Sequence, residues 1–380
     1  MRRTTLLAFA AVAAIAAAPS AQAHSPKPTP PAPWTIVASG LDNPRGLAVA
    51  KNGDIWVAEA GKGGAGPCQP GPEGPPNTCF GASGAYTLVH NGVQKRVVTG
   101  LPSFGDEGTG DNAIGASDII VNGSHVSGLL GGGGGADERA ALAAGSPAAY
   151  WFDRMVKIDP WSGKLTPFAD FAAYETANNP DKGEIDSDSY GLAEVHGGFV
   201  VADAAGNDVL GVNFKKQIST LAVFPDVLVA APPFIQPPPP GGMIPMQAVP
   251  TTVAVRPKDP NIYVGQLTGF PFPPGAASVW AIKPDGTKTV FATGFTNIVD
   301  IAWGPKGSLY VLEITSAGLL SDDPTGALIK LSKDGTTRTT VASTGLVTPT
   351  GVAIAHDGTV YVTNYGTSAG KGTVVNLGKL

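Results

Sequence analysis

The sequence predicts an all-β fold, a six-bladed β-propeller with four-stranded blades, from three observations. A glycine-punctuated pair of short apolar strands recurs six times along the chain. Glycine and proline are abundant, with 51 and 35 of the 380 residues, and charged residues make up only 14%. Repeats of tens of residues are typical of solenoids, propellers and arrays, and units built only of strands and turns favour the propeller.

Each repeat supplies the first half of a blade. The clearest repeats begin at Gly46 (GLAVAKNGDIWVAEAG), Asp300 (DIAWGPKGSLYVLEIT) and Gly351 (GVAIAHDGTVYVTNYG). Weaker repeats begin at Asp118, Gly191 and Thr252. A second pair of strands follows, and turns such as Asn91-Gly92 are the strongest short-range hairpin signal. Each unit is therefore predicted to form a four-stranded sheet.

The sixth unit is one strand short, because the chain stops soon after a third strand at residues 373–377. Residues 34–39 (WTIVAS) resemble the fourth strands at 289–293 (TVFAT) and 340–343 (TVAS), and a Gly-apolar pair follows each of them. We therefore predict that the N-terminal strand 34–39 completes the last blade. This pairing would close the ring and remove an exposed sheet edge.

The N-terminus has the pattern of a bacterial secretory signal peptide over residues 1–23. Arg2 and Arg3 precede an apolar stretch at residues 6–18, and Ala21-Gln22-Ala23 forms a small-residue cleavage site. A Pro-rich linker at 24–33 leads to one propeller domain at 34–380. We expect a secreted or extracytoplasmic protein. Two alternatives stay open. Residues 1–23 could remain attached as an uncleaved membrane anchor, and export could use either the general or the twin-arginine route.

Charge and cysteine content narrow the partners. A formal net charge of −5 at pH 7 argues against nucleic acid or an anionic membrane surface as partner. No segment after residue 23 is long and apolar enough to span a bilayer, and we expect a monomer. Cys68 and Cys79 lie in one Gly/Pro-rich loop of an exported chain, which predicts a disulfide between them.

Long insertions are predicted on one face of the ring. Turns within the strand pairs stay short, whereas the chain lengthens after second strands or before the next first strand, two connections that share a face. A rigid scaffold with elaborated loops on one face usually binds something there, although neutral loop growth is the alternative. The insertions cover residues 60–84, 102–117, 128–153, 172–190, 225–250 and 267–277.

Acidic and amide side chains should gather on this face, at the mouth of the central channel. Converging oxygen ligands can coordinate calcium, and we predict a calcium site formed by some of Glu59, Asp111, Asp186, Asp300 and Glu313. The other residues expected on the ligand-binding face are Asp188, Asp203, Gln266, Asn364, Phe270 and Phe272. The alternative is that such strand-end side chains hydrogen-bond to nearby backbone.

Two further segments have distinctive composition. Five glycines at residues 131–135 are expected to form a hinge before a short surface helix at 137–144. Residues 231–240 (APPFIQPPPP) are expected to be extended polyproline II, either packed as an apolar rim or solvated.

The chain resembles the ScyD/ScyE family of secreted bacterial propellers, through GLDNPRGLAV at 40–49, VAEAGKGG at 57–64 and TPTGVAIAHDGTVYVTNYG at 348–366. The resemblance implies a six-bladed ring similar to NHL-repeat propellers. It supplies no catalytic residues. Residues 201–207 resemble an NHL repeat, in which the equivalents of Asp203 and Asn207 are structural.

Two functions are compatible with these features. The first is a non-catalytic exported protein that binds a small molecule, glycan or protein through its elaborated face, or acts as a scaffold. The alternative is a calcium-assisted hydrolase or lyase with an acidic site at the channel mouth. Only five histidines occur, and only His125 could point inward, so a histidine acid–base pair is not expected. No catalytic residue is assigned.

Overall fold

The computed structural model describes residues 34–71 and 74–380, so the predicted signal peptide (1–23) and linker (24–33) lie outside the described residues. Six antiparallel sheets form the blades, and one extra two-stranded hairpin joins blades 3 and 4. No helix in the described part of the chain is both long and apolar enough to cross a membrane.

The first three blades follow in chain order after the N-terminal strand β1 (Thr35–Leu41). Blade 1 contains β2 (Pro44–Val49), β3 (Ile55–Glu59), β4 (Cys68–Gly71), β5 (Gly74–His90) and β6 (Val93–Asp106). Blade 2 contains β7 (Ala116–Asn122), β8 (His125–Leu130), β9 (Arg154–Ile158) and β10 (Leu165–Asp170). Blade 3 contains β11 (Ser189–Val195), β12 (Gly198–Asp203), β13 (Asp208–Asn213) and β14 (Ile218–Val223).

The extra hairpin pairs β15 (Val227–Ala230) with β16 (Met243–Met246). Blade 4 contains β17 (Pro250–Val255), β18 (Ile262–Gln266), β19 (Ala277–Ile282) and β20 (Lys288–Phe295). Blade 5 contains β21 (Ile298–Trp303), β22 (Leu309–Glu313), β23 (Ala327–Leu331) and β24 (Arg338–Ala342). Blade 6 contains β25 (Gly351–Ile354), β26 (Thr359–Asn364) and β27 (Gly372–Lys379). The helices are α1 (Ala136–Gly145) and α2 (Phe171–Asn178), with single 3₁₀ turns at Pro147–Trp151 and Pro240–Gly242.

The six blades form a closed ring. The innermost strand of each blade contacts the innermost strand of the next, in the order β2, β7, β11, β17, β21 and β25, and β25 contacts β2 again. This arrangement confirms the predicted all-β propeller. The apolar core lies between neighbouring blades, where Trp56 and Tyr86 of blade 1 pack against Ile119 and Val126 of blade 2.

Ring closure occurs in blade 6, as predicted from the sequence. β1 pairs antiparallel with β27, with Thr35 opposite Asn376 and Ser39 opposite Thr373. The inner strands are joined at the same seam, since the Thr350 hydroxyl donates to the carbonyl oxygen of Pro44 at 2.5 Å. The two chain ends therefore share one sheet.

Two aspartates on inner strands form hydrogen bonds to the inner strands of neighbouring blades. The Asp118 carboxylate accepts from the amide of Leu192 in the next blade at 2.7 Å. Asp300 accepts from the amide of Val352 at 2.7 Å and from the Thr252 hydroxyl at 2.8 Å. These carboxylates therefore stabilise the contact between inner strands through hydrogen bonds from backbone amides and from the Thr252 hydroxyl.

The insertions contact one another at one end of the ring, which we call the loop face and define as residues 60–67, 107–115, 131–153, 171–188, 224–249 and 267–276. The amide of Gly133 donates to Ser187 O at 2.9 Å, and the amide of Asn112 donates to Thr367 O at 3.0 Å. The second bond links the loop after blade 1 to blade 6, so the loop face also spans the seam where the ring closes.

The structure corrects two local predictions and confirms two others. The glycines at 131–135 are mostly buried and packed, so they are not an open hinge. Residues 231–240 connect β15 to β16, and the sequence did not predict this hairpin. The sequence did not predict helix α2 either. The predicted helix at 137–144 is α1, and Cys68 and Cys79 form the predicted disulfide.

Candidate functional site

A small cavity of about 70 Å³ lies where the inner strands meet the loop face, and we call it the axial cavity. Its walls come from inner strands β2, β7, β11 and β21 and from the loops around them. The residues used below are Arg45, Asp188, Tyr190, Leu267, Phe272 and Leu319.

Arg45 is the cationic side chain in the cavity wall, among the described residues. It is the second residue of β2, and its guanidinium donates to Ala113 O at 2.6 Å. The Thr363 hydroxyl of blade 6 donates to the Arg45 carbonyl oxygen at 2.8 Å. Arg45 therefore lies at the seam where the ring closes, and the closure holds its backbone in place.

Asp188 provides a carboxyl group in the same wall. The pKa of Asp188 is raised to about 7, chiefly by burial and also by the nearby Asp203 charge, and the Arg45 charge opposes this rise. Burial also raises the pKa of Tyr190, and a hydrogen bond with Arg45 works against that rise. The cavity thus combines a guanidinium, a carboxyl that titrates near neutral pH and a phenol.

Apolar side chains form another part of the wall. Phe272 is buried beside Leu267 and Leu319. Phe270 makes an edge-to-face contact with Phe272, with 6.1 Å between ring centroids, and it also contacts Phe234. Phe234 lies between the strands of the β15–β16 hairpin and is 66% exposed. Phe272 therefore lines the cavity, and Phe270 links it to an exposed aromatic ring on the loop face.

The polar residues at the ends of second strands have a shared structural role. Each hydrogen-bonds to backbone 15 to 18 residues earlier, in the segment that leads into the first strand of its own blade. The pairs are Glu59 with Asp42 N, Asp203 with Asp188 N, Gln266 with Ala248 O, Glu313 with Thr296 N, and Asn364 with Val347 N. The repeated pattern in the sequence therefore reflects a repeated backbone contact.

Glu59 also forms an ion pair. Its Oε2 accepts from Arg96 Nη2 at 2.5 Å, its Oε1 accepts from Arg96 Nε at 3.0 Å, and the Thr87 hydroxyl donates to it as well. Both oxygens of this fully buried carboxylate therefore have partners. Asp111 is engaged too, because its Oδ1 accepts from the amide of Ala369 at 2.8 Å.

The five residues predicted to share a calcium ion are not brought together. Among the described residues, the one group of three or more potential ligands whose atoms all lie within 4.8 Å contains Cys68, Cys79 and Glu107. Its two sulfurs form the disulfide, so they offer no thiolate to a metal. Asp186 lies on the loop before β11, and Asp300 lies in the inner ring, each with its own backbone partners.

A buried group of carboxyl side chains, which we call the acidic cluster, lies beside the axial cavity and extends beneath α2. All six members are at most 7% exposed: Asp153, Glu175, Asp186, Asp188, Asp203 and Asp208. The pKa of Asp186 is raised to about 7 and that of Glu175 to about 8, chiefly by burial and also by the charges of neighbouring carboxylates. Sequence analysis identified Asp186, Asp188 and Asp203 as site residues but missed the other three.

The glycines at 131–135 enclose this cluster. A Cβ on Gly131 would lie 2.2 Å from Asp188 Oδ1, and a Cβ on Gly132 would lie 2.5 Å from Asp153 Oδ2. The amides of Gly132 and Gly134 donate to Asp188 and Asp186. Consecutive glycines are needed here because only backbone without side chains can approach the carboxylates so closely.

An ionic contact fixes the two helices next to the cluster. Asp170 caps the N-terminus of α2 by accepting from Ala173 N at 3.0 Å. The same carboxylate accepts two hydrogen bonds from Arg139 of α1, at 2.7 and 2.8 Å, and pairs with Arg154 of β9 at 2.6 Å. A bidentate arginine pair gives fixed geometry as well as energy, so Asp170 holds α1 and α2 together.

No protein-family model matches the chain, and no curated protein matches it. Solved structures do share its fold. A protein of unknown function from Bacteroides thetaiotaomicron is 12% identical, with a TM-score of 0.53, over 90% of this chain and 71% of that one. A gluconolactonase from Xanthomonas campestris is 9% identical, with a TM-score of 0.52, over 90% of this chain and 89% of that one. These structures support the β-propeller fold, and identities this low carry no information about function.

Substituting Gly131 should destabilise the protein more than substituting a glycine whose Cβ position is unobstructed. Gly131→Ala places a Cβ against the Asp188 carboxylate and should lower the free energy of unfolding by about 1–3 kcal/mol. Gly145→Ala is the control, since a Cβ at that position in α1 meets no atom within 4 Å. Urea unfolding of both variants measures the difference, and equal stability of the two would show that the glycine run does not pack as described.

The acidic cluster should make the protein less stable as pH rises. Its raised pKa values mean that the folded protein binds more protons than the unfolded chain between about pH 4 and pH 8. The stability that the folded protein gains by keeping these carboxyl groups protonated is complete below about pH 4 and is lost as pH rises through 7 to 8. Calorimetry with a chelator present should therefore give a melting temperature several degrees lower at pH 8 than at pH 5.5.

The matched variant for this pH dependence is Asp186→Asn, which keeps an oxygen for the Gly134 amide but cannot titrate. It should show a smaller loss of stability over the same pH range. A melting temperature that rises from pH 5.5 to pH 8 in the wild-type protein would contradict the assignment of buried, protonated carboxyl groups.

Proposed function

We propose that this protein is an exported β-propeller that binds a small organic ligand at the axial cavity, and that it belongs with the ScyD/ScyE proteins it resembles. The observation that carries the proposal is the composition of the cavity wall. Buried Arg45 and Asp188 line the same cavity as the apolar side chains of Leu267, Phe272 and Leu319. Few polar groups within a mostly apolar concave surface are typical of small-molecule sites.

The chemistry of the wall suggests the ligand class. Arg45 has guanidinium N–H donors beyond the one bonded to Ala113 O, and these suit a carboxylate or a polarised carbonyl oxygen. Phe272 and Leu319 would pack against an apolar or aromatic body. Because the cavity measures only about 70 Å³, it would admit one end of the ligand, and the rest would lie along the loop face towards Phe270. The favoured ligand is therefore a small aromatic or aliphatic acid.

The location and assembly belong to the same proposal. The Cys68–Cys79 disulfide is compatible with an oxidising compartment outside the cytoplasm. Export would use the signal peptide proposed for residues 1–23. We propose a monomer, and neither nucleic acid nor a membrane surface suits its negative net charge.

A hydrolase or lyase is the second candidate, and one observation favours it. The pKa of Asp188 is raised to about 7, which is the range for a general base near neutral pH. Arg45 beside it could stabilise a developing oxyanion. The inner-ring carboxylates do not strengthen this candidate, because Asp118 and Asp300 are already bonded to backbone amides.

The binding proposal predicts that Arg45 governs affinity for small acids. A thermal-shift screen of aromatic carboxylates, starting with benzoate and indole-3-carboxylate, should identify compounds that raise the melting temperature. Arg45→Met should weaken binding of such a compound by about tenfold or more, since a hydrogen bond to a charged group contributes about 1.5–3 kcal/mol. Titration calorimetry below the melting range measures the change.

The control is Arg256→Met, which removes a guanidinium from the short turn after β17, outside the axial cavity. This variant should bind the same acid with wild-type affinity. Equal weakening by both substitutions, or a panel without any stabilising acid, would contradict binding at the axial cavity. Hydrolysis of lactone or ester probes that is lost in Asp188→Asn would favour the second candidate.

A further inference from the structure

Unpartnered oxygen atoms lie beneath α2, apart from the axial cavity. Both carboxylate oxygens of Asp208, Oε1 of Glu175 and Oδ1 of Asn179 are buried without a hydrogen-bond partner among the described residues. Asp208 is 1% exposed and Glu175 is 3% exposed. Buried polar atoms are nearly always satisfied in folded proteins, so three side chains with this defect in one place need an explanation.

The local fold brings the segments that carry these three side chains to the same end of α2. Glu175 is on α2. Asn179 caps the C-terminus of that helix, and its backbone N–H donates to the backbone carbonyl oxygen of Glu175 at 2.8 Å. Asp208 begins β13, and Asn207 before it donates to Asp181 Oδ2 at 3.3 Å in the loop after α2. The turn between β12 and β13 therefore lies against the end of α2.

The two carboxyl groups also lack a compensating positive charge within the described residues. Burial raises the pKa of Asp208 well above its usual value, and the charges of Asp203, Glu175 and Asp181 raise it further. Neither Asp208 nor Glu175 takes part in an ion pair within the described residues. Lys182 favours ionised Glu175, but its ammonium group donates to Asn178 O on the exposed surface.

We propose that Glu175, Asn179 and Asp208 bind a divalent cation, and that calcium is the best match. The site would supply four oxygens and two negative charges, and it contains neither sulfur nor imidazole. Calcium takes six to eight oxygen ligands in flexible geometry and accepts amide and carboxylate oxygens together. Zinc and copper prefer nitrogen or sulfur donors. Water or backbone carbonyls would complete the coordination.

The bound cation would join the loop face to blade 3. Glu175 and Asn179 come from the insertion before blade 3, whereas Asp208 comes from within blade 3. Asp203, which pairs with Asp208 in the sheet, also accepts from the amide of Asp188 at 2.8 Å. The cation would therefore stabilise the segment that carries Asp188, but its binding does not require a ligand in the axial cavity.

The test is calcium titration of protein that has been stripped with a chelator and dialysed. Calorimetry should show one calcium ion bound, with a higher melting temperature in its presence. Asp208→Asn and Glu175→Gln should each weaken binding by about tenfold or more, because each removes one charged ligand. The matched control is Glu184→Gln, an exposed acid in the same insertion, which should bind calcium as the wild type does.

Two outcomes would overturn the proposal. One is the absence of calcium binding in the wild type together with a higher melting temperature in Asp208→Asn, which would show that the carboxyl groups are simply protonated. The other is binding that neither Asp208→Asn nor Glu175→Gln weakens. Arg45→Met should keep calcium binding, so this test and that of the axial cavity can fail separately.

A measurement on wild-type protein covers the case in which Asp208→Asn does not fold. Crystals soaked in terbium chloride should give an anomalous peak within about 2.5 Å of the Asp208 and Glu175 oxygens, which is the distance range for such ions. A peak at this position supports the site. A peak elsewhere, or no peak, rejects it.

Discussion

Pairing of β1 with β27 joins the two ends of the chain in one sheet, and the geometry of the loop face depends on this contact. An open ring would leave blades 1 and 6 each with an uncovered face, and their buried apolar side chains would meet water. The seam is supported at three levels. The strands pair at the outside, Thr350 and Thr363 bond to β2 at the inside, and Asn112 bonds to blade 6 in the loop layer.

Closure also positions one residue of the axial cavity wall. Arg45 lies at the seam, where its carbonyl oxygen accepts a hydrogen bond from the Thr363 hydroxyl. Its side chain lines the cavity. Asp188 lines the same cavity, supported by Asp203 and by the glycines at 131 and 132. The functional groups thus lie on backbone that is fixed by its own hydrogen bonds, which is the condition for a preorganised binding site.

Local patterns in the sequence were sufficient for the four-stranded pattern of the blades, their turns and the closing strand, because those depend on neighbouring residues. They did not predict β4, the fifth strand of blade 1, or the β15–β16 hairpin. The recurrent strand-end residues such as Glu59 and Glu313 were also identified, but as calcium ligands. Their backbone partners lie about 17 residues earlier, and a pattern of residue types cannot distinguish a bonded carboxylate from a free one. The acidic cluster was only half recognised because Asp153, Glu175 and Asp208 lie in three separate segments, which only the folded chain brings together. The same limit explains why the glycine run was interpreted as a hinge.

Hydrogen exchange of the β1 amides tests most directly whether the chain ends close the ring. β1 and β24 occupy the same outermost position in blades 6 and 5. If closure holds, residues 35–41 exchange as slowly as residues 338–342, and β27 opens together with β1, because exchange of both strands requires opening of the closed ring. Exchange of residues 35–41 that is orders of magnitude faster than that of residues 338–342, while β27 stays protected, would contradict the account.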